Sequence, residues 1–249
     1  MNTTAAIEFA DLQVEFWSAD PAALELVRAA AAICSSVRPG GSRQPTLRAS
    51  LSVGAEPRWT PGGSRSAAAE SPLDEFAFVA VLRAAMCQAL APEGALLHAA
   101  GASIDGQGFL FVAPSEGGKT TVSGLLSREA VLLSDETICV RPDPDRPGRY
   151  AIYGTCFWSG PAYPSRAGAV PLEAVCFLRK GALSLTPLSR RQALRELLAQ
   201  LHLPIDPEAP RHALAFADRL LSGTPAFALT FALDSNPVPL LRALREGLA

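Results

Sequence analysis

Hydrophobic and polar positions along this 249-residue chain follow two patterns, one typical of strands and one typical of helices. Unbroken apolar runs at residues 109–112, 130–133 and 174–178 predict strands that are buried on both faces. Residues 7–17 alternate loosely in polarity, which predicts one strand with an exposed face. The buried runs indicate a central sheet that is largely parallel.

Helical periodicity fills much of the sequence between these strands. An Ala-rich helix is predicted over residues 22–34, and residues 72–90 are apolar on nearly every side, as in a helix buried against a sheet. The class predicted is therefore α/β with some α+β elements. Further helices are predicted at 189–201, 213–221 and 238–248, and further strands at 46–53, 185–188 and 227–233.

A stretch rich in Pro, Gly, Ser and Arg at residues 57–69 interrupts these patterns. Such composition is typical of a boundary between structural units. We therefore expect a small α+β portion over residues 1–70, serving as a lid or as a platform for a partner, and a main domain over residues 71–249.

A glycine-rich segment follows the strand predicted at 109–112 and precedes a helix. Residues 113–120 read Ala-Pro-Ser-Glu-Gly-Gly-Lys-Thr, close to the phosphate-binding pattern GxxxxGK[ST]. Glycines let backbone N–H groups converge on phosphate oxygens, and the helix directs its positive end to the same anion. Lys119 would hold the outer phosphates and Thr120 would bind Mg²⁺. The residues predicted to bind nucleotide are Ser115, Glu116, Gly117, Gly118, Lys119, Thr120 and Thr121.

The segment departs from the pattern at two positions. Ala113 stands where the first glycine is expected, and Glu116 adds a carboxylate where phosphates would lie. The alternative interpretation is a glycine-rich turn that opens an ordinary helix.

Chemically active side chains flank this segment on both sides. The apolar run at 130–133 leads into Asp135 and Glu136, at the end of a strand where open parallel sheets bind ligands. These carboxylates could hold Mg²⁺ or accept the proton of an attacking hydroxyl; a solvated acidic turn is the alternative. Upstream, His98 follows a short apolar segment and has either a chemical or a structural role.

Composition narrows the possible functions. With 22 basic and 24 acidic residues and a net charge of −2, nothing indicates a surface for nucleic acid. Five widely spaced cysteines without a Cys-x-x-Cys pair argue against a disulfide framework or a zinc site. No apolar run approaches the roughly 18 residues of a membrane span, so we expect a cytoplasmic protein without a membrane partner.

Taken in order, His98-Ala99, Gly118-Lys119-Thr120 and Ser134-Asp135-Glu136 form a layout that resembles the catalytic domain of HPr kinase/phosphorylase. Residues 163–175 are similar to that family's arginine-containing stretch, in which Arg166 matches the second arginine. The blocks at 153–158 and 174–181 resemble short HPr-kinase-like proteins of peptide-modification pathways, including lasso-peptide tailoring kinases. The resemblance covers about residues 75–190.

The resemblance implies an ATP-dependent serine kinase with the P-loop fold shared by HPr kinase and phosphoenolpyruvate carboxykinase. Its acceptor would be a peptide or a small protein, its cofactors ATP and Mg²⁺, and a homo-oligomer is possible. By position, Asp135 would be the catalytic base and His98 would assist at the reacting centre. Arg166 would stabilise charge on the transferred group or orient the acceptor.

One further metal ligand of that family, a glutamate after the acidic strand, has no obvious equivalent here. Glu136 is the substitute we predict, together with Thr120, for binding the metal. Two other functions therefore stay open: an inactive nucleotide-binding or scaffold protein, and a kinase acting on a small molecule.

Overall fold

The computed structural model describes residues 3–10, 12–18, 21–34, 45–53, 64–69, 75–155, 157, 168–203 and 206–247. Within these residues the chain forms two β-sheets and six helices, which makes it a mixed α/β protein. The predicted class is thereby confirmed.

The first part of the chain forms a four-stranded sheet in which the strands lie in sequence order. The first two strands pair antiparallel, and the next two pairings are parallel. The helix after the second strand provides the crossover that a parallel pair requires. Its elements are β1 (Thr3–Phe9), β2 (Leu12–Ser18), α1 (Pro21–Cys34), β3 (Pro45–Val53) and β4 (Ser64–Ala69).

One prediction for this region is wrong. The single strand predicted over residues 7–17 is a hairpin, because the backbone reverses at Ala10, which has a φ of 48°. Within the stretch predicted to mark a boundary, Ser64 to Ala69 form the strand β4, which pairs with β3; the boundary itself stays a prediction. The strand at 46–53 and the helix at 22–34 are confirmed, as β3 and α1.

The remaining strands form a nine-stranded sheet flanked by helices. The helix predicted at 72–90 is confirmed as α2. In chain order the elements are α2 (Glu75–Leu90), β5 (Ala95–Ile104), β6 (Gln107–Val112), α3 (Lys119–Leu126), β7 (Val131–Ser134), β8 (Thr137–Pro142), β9 (Tyr150–Tyr153), β10 (Ala169–Lys180), β11 (Ser184–Pro187), α4 (Arg190–Leu198), β12 (Leu201–His202), α5 (Ala209–Gly223), β13 (Ala226–Phe231) and α6 (Val238–Gly247).

The order of the large sheet is β11-β13-β10-β6-β5-β8-β9, with β7 and β12 also paired to β5. The strands β6, β10 and β13 are mutually parallel, whereas the other pairings of this sheet are antiparallel, including that of β5 with β6. The prediction of a largely parallel sheet is therefore wrong outside these three strands. Since the start of β10 also pairs with β9, the strands β10, β6, β5, β8 and β9 form a closed ring of hydrogen-bonded neighbours. The carboxyl ends of β6, β10 and β13 consequently lie at one edge.

Three groups of buried apolar side chains hold these layers together. The first joins the early sheet and α1 to α2, with Phe16, Met86 and Tyr153 among its fully buried members. The second packs α4 and α5 on one side of the large sheet, and the third packs α3 and α6 on the other. The glycine-rich segment of residues 113–120 is thus anchored between a buried strand and a helix with a buried face.

The helix predicted at 189–201 is shorter than expected. Ser189 caps it as predicted, because its side chain accepts a hydrogen bond from the Gln192 backbone N–H. The helix α4 ends at Leu198, and the next residues form β12, which pairs with β5 at Leu96 and Leu97. A pairing with a strand more than 100 residues earlier overrides the local helical pattern.

Candidate functional site

Three segments meet at one edge of the large sheet. The strand β6 ends at Val112, where the glycine-rich segment begins. Val112 lies opposite Ala99 of β5. His98, the residue before Ala99, is therefore level with the start of that segment. The strand β7 pairs with the same β5, where Ser134 lies opposite Gly101. Both β6 and β7 are antiparallel to β5 and therefore point to the same edge. The acidic pair lies there as predicted, although β5 separates β7 from β6.

The glycine-rich segment forms a tight turn between β6 and α3. The Gly117 N–H donates to the Pro114 carbonyl oxygen at 3.0 Å. A Cβ at position 117 would lie 2.6 Å from the Ala113 Cβ and 2.9 Å from the Pro114 oxygen, closer than real atoms approach. Gly118 has a φ of 102°, in the left-handed region that favours glycine. Both glycines of the motif are therefore required by the backbone.

Lys119 lies under this turn rather than in solvent. Its side chain is only 6% exposed, and its Nζ donates to the carbonyl oxygens of Ala113 and Pro114, each at 3.0 Å. Burial lowers the pKa of this amine, while the nearby carboxylates of Glu136 and Asp135 oppose that shift. The structure thus brings one buried amine and two acidic side chains into electrostatic contact.

The helix α3 begins at Lys119 with its N-terminus open. Gly118 is the N-cap and makes no side-chain capping hydrogen bond. The first N–H groups of a helix have no acceptor within the helix, and the helix dipole makes this end positive. Thr120 is exposed and Thr121 is half-buried beside these amides. Such an end is suited to binding an anion.

His98 lies beside Glu136 and within electrostatic reach of Lys119. Its Nε2 is 3.6 Å from the Glu136 Oε1, and its ring makes a hydrogen bond with the Gln200 side chain. Burial, and secondly the charge of Lys119, lower the pKa of His98, while Glu136 and Gln200 oppose the shift. The imidazole is therefore mainly neutral at pH 7.

The acidic turn is held by a hydroxyl network. The Ser134 Oγ donates to the Phe157 carbonyl oxygen at 2.9 Å and accepts from the backbone N–H groups of Glu136 and Thr137. The Thr155 hydroxyl donates to the Thr137 carbonyl oxygen at 2.5 Å and accepts from the Phe157 N–H. This network holds the backbone of the turn that carries the two carboxylates.

These elements enclose a cleft of about 210 Å³, which we call the phosphate cleft. Glu136 lines it, whereas Asp135 is only 2% exposed and is not part of its lining. The two acids predicted together thus occupy different environments. The lining residues are His98, Ser115, Glu116, Gly118, Lys119, Thr120, Thr121 and Glu136.

Two residues that stand beside His98 were not predicted from the sequence. Gln200 and His202 stand beside His98, with the two imidazole ring centres 6.4 Å apart. Burial, assisted by the charges of Arg83 and His98, lowers the pKa of His202 to about 4. The only sign in the sequence was that His202 directly follows Leu201, and this pair alone does not indicate a strand beside β5. Arg166 lies outside the described residues, so its role stays a prediction.

The donor set of the phosphate cleft suits Mg²⁺ bound together with phosphate oxygens. Within the described residues no three His, Cys, Asp or Glu side chains are grouped to hold a metal ion by themselves. Magnesium usually takes only one or two carboxylates and completes its shell with phosphate and water. The Thr120 hydroxyl and the Glu136 carboxylate line the same cleft and are chemically suited to this arrangement.

Fold and site together define a mixed α/β protein with a strand, glycine-rich loop and helix unit at a sheet edge. Among the helices of the described residues, none has the length and apolar character of a membrane span.

No family model matches the chain, and no curated protein matches it. One solved structure to which it is similar is the HPr(Ser) kinase/phosphatase from Coxiella burnetii. The two are 14% identical, the match covers 61% of this chain and 95% of that one, and the TM-score is 0.32.

Proposed function

We propose that the chain is an ATP- and Mg²⁺-dependent kinase that transfers the γ-phosphoryl group to a serine hydroxyl of a peptide or small protein. One observation carries the proposal. The open N-terminus of α3, the buried amine of Lys119 and the His98–Glu136 pair all converge on the phosphate cleft. Phosphoryl transfer needs this combination of anion binding, positive charge and a proton acceptor.

The loop amides and Lys119 would bind the phosphate oxygens, and the hydroxyls of Thr120 and Thr121 flank the same anion site. Mg²⁺, when bound, would neutralise charge on the outer phosphates, and Thr120 and Glu136 are the residues that would hold it. A cleft that closes around fixed donors stabilises transition-state charge without reorganising solvent.

Two carboxylates compete for the role of general base. Asp135 has the position that the family resemblance assigns to the base, and its charge acts on Lys119. Glu136 lines the cleft, where an acceptor hydroxyl would arrive. We propose that Asp135 accepts the proton of the acceptor hydroxyl and that Glu136 binds the metal. Replacing each carboxylate by its amide tests these two roles separately.

His98 would act as a neutral hydrogen-bonding group at the reacting centre. Burial and the charge of Lys119 lower its pKa from the ordinary value of an imidazole, and in the neutral ring one nitrogen donates and the other accepts. A neutral ring next to Lys119 avoids repulsion between two cations and still contacts the transferred group.

Calorimetric titration with ATP, with and without Mg²⁺, is the first test. We expect binding that depends on Mg²⁺ and is lost in Lys119→Ala, because this variant removes the buried amine while alanine favours the helix that begins there. Labelling of a degenerate serine peptide library with γ-³²P-ATP then tests transfer. A wild-type protein that binds no ATP contradicts the proposal.

The base assignment is tested with Asp135→Asn and Glu136→Gln. Loss of peptide labelling in Asp135→Asn with ATP affinity retained is expected for the base. A weaker apparent affinity for Mg²⁺ is expected for Glu136→Gln. The reverse result transfers the role of base to Glu136.

A second candidate is a nucleotide-binding protein that does not catalyse transfer. It is favoured by Glu116, whose carboxylate borders the phosphate cleft and repels anions there. This candidate predicts ATP binding without any peptide labelling or ATP hydrolysis. Glu116→Gln would then raise ATP affinity but leave transfer absent.

A further inference from the structure

A second cleft, with a volume of about 590 Å³, adjoins the glycine-rich segment. We call it the lateral cleft. It shares Glu116, Gly118 and Thr121 with the phosphate cleft, so the two are contiguous across the loop. Its other wall comes from the last residues of β10 and β13 and the chain that follows them, including Lys180, Phe231, Leu233 and Asp234.

The sheet topology explains why this wall lies there. Val112 of β6 is level with Phe177 of β10, and Phe177 is level with Ala228 of β13. These parallel strands therefore deliver the loop and the residues after Lys180 and Phe231 to the same edge. The Gly181 N–H donates to the Phe231 carbonyl oxygen at 3.1 Å, which joins the two chain segments directly.

Packing and hydrogen bonds hold this wall of the cleft in place. Phe231 is buried beneath the loop, and a Cβ on Gly118 would lie 3.1 Å from its ring. The turn that follows is closed by two hydrogen bonds, from the Ser235 N–H to the Ala232 oxygen and from the Ala232 N–H to the Ser235 Oγ. This turn presents Leu233 to the cleft.

Leu233 is 82% exposed, the highest value of any large apolar side chain in the part of the chain that the structure describes. An apolar side chain that lines a cleft beside a phosphate site is suited to packing against the face of a planar ring. Lys180 and Asp234 are exposed at the same cleft and supply one donor and one acceptor for polar ring edges.

We propose that the lateral cleft holds the nucleobase of the nucleotide whose phosphates bind in the phosphate cleft. Leu233 would pack on the base, and Asp234 and Lys180 would contact its polar edge. This inference rests on the proposed function, because it requires phosphate binding at the loop. The phosphate cleft is polar, whereas the lateral cleft offers apolar surface, and a nucleotide has the same division between its two ends.

The test compares ATP with inorganic tripolyphosphate, which has the phosphates but no base. Calorimetry on the full chain measures both ligands, in the presence of Mg²⁺, for wild type, Leu233→Ser, Lys119→Ala and the control Leu203→Ser. Leu203 is also an exposed leucine and does not line the lateral cleft. Because Leu233 is mostly solvent-exposed, its replacement leaves the core intact.

We expect Leu233→Ser to weaken ATP binding by about tenfold while tripolyphosphate binding is unchanged, as removing an apolar contact with a base should do. Lys119→Ala should weaken both ligands, and Leu203→Ser neither. Equal wild-type affinity for ATP and tripolyphosphate, or an ATP affinity unaffected by Leu233→Ser, overturns the inference and leaves the phosphate site standing. Binding of neither ligand overturns both proposals.

Discussion

Replacing Gly117 by alanine should inactivate the phosphate cleft through backbone geometry alone. The new Cβ would lie 2.6 Å from the Ala113 Cβ and 2.9 Å from the Pro114 oxygen. Carbon atoms in contact are about 3.5–4.0 Å apart, so the turn must move by about 1 Å. A displacement of about 1 Å at a reacting centre costs roughly 100-fold in rate.

Calorimetric ATP titration and peptide labelling measure this effect, and Gly247→Ala is the matched control because its Cβ would meet nothing within 4 Å. The double variant Ala113→Gly/Gly117→Ala removes the closer of the two contacts. We therefore expect it to recover part of the lost affinity, while the contact with the Pro114 oxygen remains. Wild-type affinity in Gly117→Ala would refute the packing described for this loop.

Three further predictions concern the surroundings of the cleft. In NMR titrations, Lys119→Met should raise the pKa of His98 and Glu136→Gln should lower it, because the cation disfavours and the carboxylate favours the imidazolium; shifts of the opposite sign contradict the geometry. Ser134→Ala should reduce the free energy of unfolding by about 2–3 kcal/mol in urea denaturation, because buried partners are left without hydrogen bonds, whereas Ser127→Ala, at an exposed site, should change it by less than about 0.5 kcal/mol. Burial raises the pKa of the Cys87 and Cys176 thiols to about 12, so both should resist iodoacetamide at pH 8 until the protein is unfolded, as peptide mapping would show.

Sequence reasoning succeeded where the signal was local. The apolar run at 109–112, the two glycines and the following helix are adjacent in the chain, and each restricts the conformation of the next. The strand, turn and helix at Lys119 were therefore predictable from spacing alone.

Predictions from local sequence patterns failed where the backbone conformation depends on pairing between strands. Ala10 has a positive φ of 48°, although alanine carries no turn signature. The strand β4 reads Ser-Arg-Ser-Ala-Ala-Ala, a composition without strand preference, and forms because β3 pairs with it. Gln200 reaches His98 only through the pairing of β12 with β5.

The different environments of Asp135 and Glu136 were equally unpredictable. Consecutive residues in a turn can point either way, and in this structure Glu136 lines the cleft whereas Asp135 is buried outside its lining. The sequence shows the acids but not the side on which each one lies.

The position of Phe231 beneath Gly118 has a consequence for synthesis and truncation. The motif that defines the loop is translated well before its supporting aromatic ring, Phe231, and before the Gln200 partner of His98. During synthesis the loop would therefore remain unsupported until β13 emerges from the ribosome. A fragment that ends before β13 keeps every residue of the motif but lacks the Phe231 ring that packs beneath Gly118.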